Sequence, residues 1–320
     1  MSQNARVSAI MAVYNPNHHV VRAIESVLNQ TYPVSEFLII NDGGPEEFIK
    51  SVLPDDPRIR YILQKNGRVA AARNTGIENA TGDYLAFLDQ DDFWFPEKLS
   101  EQLNLVEFKA VPCMIVSPVQ VIDNQDRVLK TTQTKLEIYL KKAESADQLS
   151  ALLAGNFIYS SVPVIHHSVF KVAGRFQTRF EPHDDWAMYL KISEHGFPIY
   201  FYVDKPLSVW RRHSQNESNN WVRMLRTSSQ IVRHYQNLPL PASTQDILKL
   251  KLCEINLDRV NSLLYRIRPK TFRKMVPHFM YEFFMTNRKL NQYGYPAKKK
   301  SLGKSIKRYL ISLVMAWFNR

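Results

Sequence analysis

Tyr84-Leu85-Ala86-Phe87-Leu88-Asp89-Gln90-Asp91-Asp92 is the stretch that decides how this chain folds. Five apolar or aromatic residues in succession describe a short strand covered on both faces, as in a parallel sheet. Three carboxylates within four positions follow at once. Open α/β sheets build ligand sites in this way, with side chains delivered at the C-terminal tips of buried strands. Carboxylates bunched so closely repel one another unless a positive charge sits among them. A hard divalent cation such as Mg²⁺ or Mn²⁺ takes oxygen ligands of this kind, usually one or two carboxylates plus substrate phosphates. The competing reading is that Asp91 and Asp92 only cap the helix that starts near Pro96, because Asp is a common N-cap.

Working outward, the segments on either side alternate between strand and helix. Val7 to Val13 is rich in β-branched residues and reads as a buried first strand, ended by the turn signal Tyr14-Asn15-Pro16. A helix follows with Val20, Ile24, Val27 and Leu28 on one stripe. Phe37 to Ile40 and Ile59 to Leu63 are further strands, and Val69 to Glu78 is an alanine-rich helix carrying Arg73. Pro96 opens a helix that runs to about Phe108. This alternation argues for an α/β fold, a mostly parallel sheet flanked by helices. Beyond it the spacing predicts a strand over Met114–Ile122, a hairpin turn at Asp123–Asp126 and a short helix over Ala146–Leu153. It then predicts a strand over Val162–Val169, a helix from Glu181 to about His195, and strands over Ile199–Val203 and Leu207–His213. From Trp221 the period is helical, broken near Pro239, Pro269 and Pro296.

The 320 residues suffice for one large domain with an appendage, or for two domains. Apolar content of 45% and charged content of 22% belong to a folded globular chain. Cys113 and Cys253 form no CxxC pattern, which points to a reducing compartment and no zinc site. The first residues lead straight into a strand, so no signal peptide is expected. No apolar run reaches the roughly 18 residues of a spanning helix. The net charge of +12 is uneven: residues 221–320 hold 20 Lys and Arg against 4 Asp and Glu, so residues 1–220 are net acidic. That division suggests a domain over 1–220 and a helical basic extension over 221–320 with a polyanionic partner, anionic lipid before nucleic acid. Within it Leu302, Ile306, Tyr309, Leu310, Leu313, Val314 and Trp317 recur at helical spacing, with Lys304, Lys307 and Arg308 off that stripe. Basic residues beside a Trp/Leu face describe a helix lying in a membrane interface. The same face also fits an ordinary amphipathic helix packed on the main domain.

Four polar clusters fall at expected strand or loop ends: Tyr14-Asn15, Asp42, Asp89 with Asp91, and Asp184-Asp185. Tips of parallel strands share one edge, so the first three should converge. Tyr14 can stack on a base, Asp42 can accept from a base or ribose, and Arg68 and Arg73 can reach phosphate oxygens. There is no GxGxxG after the first strand and no GxxxxGK[ST] anywhere. A nicotinamide or P-loop reading therefore lacks its support.

These residues together resemble glycosyltransferase family 2, inverting nucleotide-sugar enzymes of the GT-A fold. The resemblance spans roughly residues 5–215. It rests on Val7 through Asn15, Ser26 through Tyr32, Ile39 through Gly43, Asn66-Gly67 with Ala72-Arg73-Asn74, and Gly82 through Asp92. Gly174-Arg175-Phe176, Asp184-Asp185-Trp186 and Arg211-Arg212-His213 complete it. It implies that the acidic D-x-D motif falls on Asp89-Gln90-Asp91, with Asp91 the direct ligand of Mn²⁺ or Mg²⁺ and Asp89 on the nucleotide or metal. It places the base-contacting aspartate on Asp42, the aromatic beside the base on Tyr14, and the basic loop residue on Arg68 or Arg73. The catalytic base falls on Asp185, with Asp184 and Trp186 on the acceptor side and His213 near the diphosphate or metal. The chain departs from the pattern at Asn41 and Gly44, where Asp-Asp-Gly-Ser is usual, and at Asp184, where Glu is usual. No Gln-x-x-Arg-Trp occurs, which implies single-residue rather than processive transfer. The expected activity is transfer from a nucleotide-sugar, UDP-linked, to a glycan or lipid-linked acceptor in cell-surface polysaccharide or lipopolysaccharide synthesis. The expected location is the inner face of the cytoplasmic membrane, with nucleic acid not a partner. A nucleotidyltransferase would need a basic glycine-rich loop where Tyr14-Asn15-Pro16-Asn17 stands. A non-enzymatic basic adaptor would leave Asp89, Asp91 and Asp185 unexplained.

Overall fold

The structure is a computed structural model that describes residues 5–132 and 148–264, with side chains through residue 256. The described residues divide into two compact units. One runs from the N-terminus through the hairpin near Thr131 and again over Asn156–Asn216; the other joins the segment before Gly155 to the chain from Glu217 onward.

The first unit is built on a seven-stranded sheet. Its strands are β1 (Val7–Val13), β2 (Glu36–Asn41), β3 (Ile59–Leu63), β4 (Tyr84–Asp89), β6 (Met114–Val116), β9 (Val164–His166) and β10 (Ile199–Phe201). The order across the sheet is β10-β6-β9-β4-β1-β2-β3. β1 is parallel to both β2 and β4, β2 to β3, and β6 to β10, while β9 alone runs antiparallel between β4 and β6. The apolar run of β4 is buried from Tyr84 to Leu88 because helices cover both faces. On one face Ala9, Met11, Val13, Ala86 and Leu88 share a core with Val20, Ile24 and Val27 of α1 (His19–Leu28) and with Leu99 and Leu103 of α4 (Lys98–Asn104). On the other, α3 (Arg68–Asn79) approaches so closely that a Cβ on Gly76 would stand 2.3 Å from Ile10 Cγ2. The chain winds outward from β1 through β2 to β3, then returns to β4 on the far side of β1. The crevice at such a reversal is where an open sheet binds its ligands.

Several expected elements are shorter than their spacing implied. The strand over Met114–Ile122 breaks at Ser117-Pro118 into β6 and β7 (Val119–Ile122), because proline offers no donor to the ladder. β7 leaves for a second sheet of order β5-β11-β7-β8, with β5 (Phe93–Trp94), β8 (Val128–Thr131) and β11 (Ser208–Arg211). α4 stops at Asn104, and Glu107 and Phe108 take left-handed backbone soon after, with φ of 50° and 56°. The strand over Val162–Val169 is confined to β9.

In the second unit α5 (Gln148–Leu153), α8 (Trp221–Gln236) and α9 (Ala242–Leu264) pack together. Ile231, Val232, Tyr235, Ile247 and Leu248 are buried there, and Ser150 Oγ meets Thr244 Oγ1 at 2.7 Å. Asn220 caps α8, its side chain accepting from Arg223 N. Among the described residues no helix is long and apolar enough to cross a membrane. The basic stripe expected over 302–317 lies outside the described residues.

Candidate active site

Three loops meet at the reversal between β1 and β4. After β1, Tyr14 is 49% exposed and Asn15 is left-handed at φ 45°. Both backbone polar groups of Tyr14 are held by one side chain: Tyr14 N donates to Gln90 Oε1 at 2.9 Å, and Gln90 Nε2 donates to Tyr14 O at 3.0 Å. After β2, Asp42 is buried, and its Oδ1 accepts from Gln64 Nε2 at 2.7 Å and Gly67 N at 2.8 Å. The adjacent Asn41 ties the loop back on itself, accepting from Gly44 N and donating to Gly44 O and to the Tyr61 hydroxyl. Gly43 has φ 79°, a conformation that excludes most side chains. An open depression lined by Gly43, Gly44, Glu46, Leu63, Gln64 and Lys65 lies beside this loop.

At the tip of β4 the carboxylates separate into different duties. Asp89 Oδ1 accepts from Arg73 at 2.7 Å and Oδ2 from Ser160 Oγ at 2.5 Å, so both oxygens are engaged. Asp92 is 1% exposed and bridges Ser161 Oγ and Arg211 N. Its burial, with Asp91 and Asp89 alongside, pushes its proton affinity well above the usual carboxylate range. Asp91 Oδ2 lies 2.5 Å from His213 Nε2, and its side chain is part-buried. Arg211 steadies this loop from below. It is buried, and it donates to Asp91 O and to Asp126 Oδ1, the latter also paired with Arg22.

Asp91 Oδ2 and His213 Nε2 are hydrogen-bonded to each other, and as donor types they would suit a cation such as Mn²⁺, while both oxygens of Asp89 are already engaged. Among the described residues no group of three or more His, Cys, Asp or Glu could hold a metal. The protein would thus supply two ligands and a substrate phosphate the rest.

Arg73 is 5% exposed, and its other amino group donates to Asp184 Oδ2 at 2.7 Å. Expected to reach phosphate, it instead joins two carboxylates from opposite sides of the cluster. Burial alone would lower its proton affinity, but Asp89 and Asp184 outweigh that and raise it. Asp184 opens α7 (Asp184–Glu194), and Asp185 follows it. Asp185 Oδ1 accepts from Trp186 N at 2.6 Å, and Oδ2 faces Asn156 Nδ2 at 3.3 Å. Burial first and the Asp184 charge second push the Asp185 carboxyl up to about 7. Asp184 and Trp186, expected on the acceptor side, are 2% and 1% exposed: one is spent on Arg73 and the other packs in the core against His183. Arg68 keeps an exposed side chain, its guanidinium 3.7 Å from Glu181, whose other oxygen accepts from Ala70 N in the first turn of α3. Ser160, Ser161, Asn156 and Glu181 were not singled out by the sequence; a lone Ser or Asn in a loop carries no spacing signal.

A mostly parallel sheet covered on both faces, with an acidic strand tip at its reversal point and a carboxylate pair opening a helix beside it, is the GT-A arrangement. The family model for glycosyl transferase family 2 matches residues 8–169, just over half of the chain, and the chain belongs to that family. It is similar to an uncharacterized glycosyltransferase of Rickettsia felis, 46% identical over 106 residues, which make up 32% of this chain and 18% of that protein. It is also similar to one of Rickettsia typhi, 28% identical over 199 residues, 61% of this chain and 60% of that protein. The matched part therefore spans less than two thirds of these relatives. In fold it is similar to TarS of S. aureus. A crystal structure of residues 1–349 with UDP-GlcNAc gives a TM-score of 0.62 at 14% identity, covering 92% of this chain and 82% of that one. The complex with UDP gives 0.59 at 15%, covering 98% and 92%.

Proposed function

We propose that this chain is an inverting, non-processive glycosyltransferase. It moves a hexosyl or N-acetylhexosaminyl unit from a UDP-sugar to a hydroxyl of a glycan or lipid-linked acceptor, in cell-surface polysaccharide or lipopolysaccharide synthesis. The observation that carries the reading is the guanidinium shared by Asp89 and Asp184, which ties the start of the helix that carries Asp185 to the strand tip. Asp185 takes the proton of the acceptor hydroxyl as that oxygen attacks the anomeric carbon. The bond from that carbon to the diphosphate breaks on the opposite face, so the configuration inverts. A carboxylate whose proton affinity lies near neutrality suits this role, and a positioned base contributes roughly 10²–10⁴-fold.

Tyr14 offers an exposed ring for the base to stack on, and Asp42 has Oδ2 left to accept from the base. Arg68, the exposed first residue of α3, is suited to the diphosphate. Bound at Asp91 and His213, Mn²⁺ or Mg²⁺ would neutralise charge on the departing diphosphate. The UDP-GlcNAc complex of TarS supports a uridine donor by likeness of fold. The basic balance of residues 221–320 supports attachment to an anionic cytoplasmic membrane face, where a lipid-linked acceptor resides.

The test is thermal melting with UDP and Mn²⁺, followed by a screen of UDP-sugars for hydrolysis. A ligand that binds only the folded form raises the melting temperature. No shift with any nucleoside diphosphate plus metal refutes the reading.

A further inference from the structure

We propose that Gln90, the middle residue of Asp89-Gln90-Asp91, is a positioning residue that fixes the Tyr14 platform for the donor's base. This rests on the nucleotide-sugar reading above. The β1–β4 ladder ends at the pair Ala12 and Asp89. Beyond it the chain turns, with Asp92 N donating to Asp89 O, so β4 has no further peptide to offer. The Gln90 amide takes that peptide's place: its Oε1 accepts from Tyr14 N and its Nε2 donates to Tyr14 O. A side chain thereby adds one more rung to a ladder whose backbone has ended.

The opposite side of the segment is closed as well. A Cβ on Gly44 would stand 2.9 Å from Asn15 N, so residues 14 and 15 lie against the Asp42 loop with no slack. The backbone of Tyr14 is thus fixed on two sides, while the residue as a whole stays 49% exposed. An exposed aromatic on a fixed backbone is a surface whose ordering cost is met before the ligand arrives. Because Asp89 and Asp91 flank Gln90, the base end and the diphosphate end of the site ride on three consecutive residues. Asp and Asn are too short for this reach, Glu keeps only the acceptor, and Met fills the space with neither function.

The experiment measures UDP affinity in the presence of Mn²⁺ for the full chain, Gln90→Met, Gln90→Glu, Tyr14→Ala and the Gln90→Met/Tyr14→Ala double variant, with melting temperatures as a check on folding. Loss of two hydrogen bonds weakens UDP binding about tenfold in Gln90→Met and less in Gln90→Glu. Donor KM rises more than kcat falls. In the Tyr14→Ala background the Gln90 substitution adds no further loss, because residues acting through one another are not additive. Gln90→Met binding UDP as tightly as wild type overturns the proposal, and so do penalties that simply multiply in the double variant. Wild-type protein that binds no UDP overturns the nucleotide reading itself, and that result is seen before any variant is made.

Discussion

Arg73 and Asp184 meet at 2.7 Å inside the protein although 111 residues separate them in sequence. The same guanidinium reaches Asp89 at 2.7 Å, so one cation neutralises a strand tip and a helix start together. Removing one partner of a buried ion pair leaves an uncompensated charge and costs ~3–5 kcal/mol. Arg73→Met therefore lowers the midpoint of urea unfolding and abolishes transfer. Arg73→Lys recovers part of the stability, since an ammonium cannot span both carboxylates as the planar fork does. Equal unfolding midpoints for wild type and Arg73→Met would show that the bridge holds nothing together.

Asp185 presents a separable case. Asp185→Asn removes the proposed base but keeps an oxygen for Trp186 N, so UDP binding should persist while kcat falls at least ~100-fold. Its folded proton affinity, about 7, lies above the unfolded value. The group's contribution to stability is full below about pH 4 and is lost as pH rises through 7. At pH 8 the amide should therefore melt higher than wild type, by the equivalent of ~1–2 kcal/mol. A variant that loses turnover and also melts lower at pH 8 contradicts the assignment.

The pH dependence of turnover follows from the same carboxylate. In the proposed mechanism its ionised form is the base, so kcat/KM should rise with pH and level off above roughly 7. Asp184 is the second cause of the upward shift, after burial. Replacing its charge in Asp184→Asn moves that limb to lower pH, toward the ordinary carboxylate range. A profile flat from pH 5 to 9, or a limb that does not move, removes Asp185 from proton transfer.

Much of this arrangement could be read before any coordinate was known. Strands β1, β2 and β4 declare themselves because their apolar runs are buried on both faces, while β3 at the sheet edge is half exposed. Tyr14, Asp42, Asp89 and Asp91 were legible as a group because parallel strands end on one edge. What the sequence hid was pairing. The D-x-D spacing makes Asp89 and Asp91 look alike, yet Asp89 is occupied by Arg73 and Ser160 while Asp91 faces His213. Arg73 sits on a helix face, and nothing local tells a buried bridge from a phosphate contact. Trp186 follows the Asp184-Asp185 pair, but its neighbours in space lie in the core. Pro118 marks the break between β6 and β7, but the apolar run around it carries the stronger strand signal.

The metal site makes a chemical prediction. EDTA should abolish transfer and Mn²⁺ or Mg²⁺ restore it. On the proposed reading, His213→Ala should raise the Mn²⁺ concentration needed for half-maximal activity by about tenfold or more, because it removes one of the two described side chains that would hold the metal. Full turnover in chelator would mean that Asp91 and His213 do something else.

The C-terminal charge bears on where the reaction happens. Each Lys or Arg near an anionic leaflet adds about 1 kcal/mol of attraction, weakened by salt. Truncation after Gly294 removes Lys298, Lys299, Lys300, Lys304, Lys307 and Arg308 together with the Trp317 stripe. The intact chain should sediment with vesicles rich in anionic lipid and release as salt is raised, and the truncated one should stay in the supernatant. Turnover on a short soluble acceptor should survive the truncation, because Asp91, Asp185 and Tyr14 lie before residue 216 and in the other compact unit. Equal sedimentation of the two chains would place membrane attachment elsewhere.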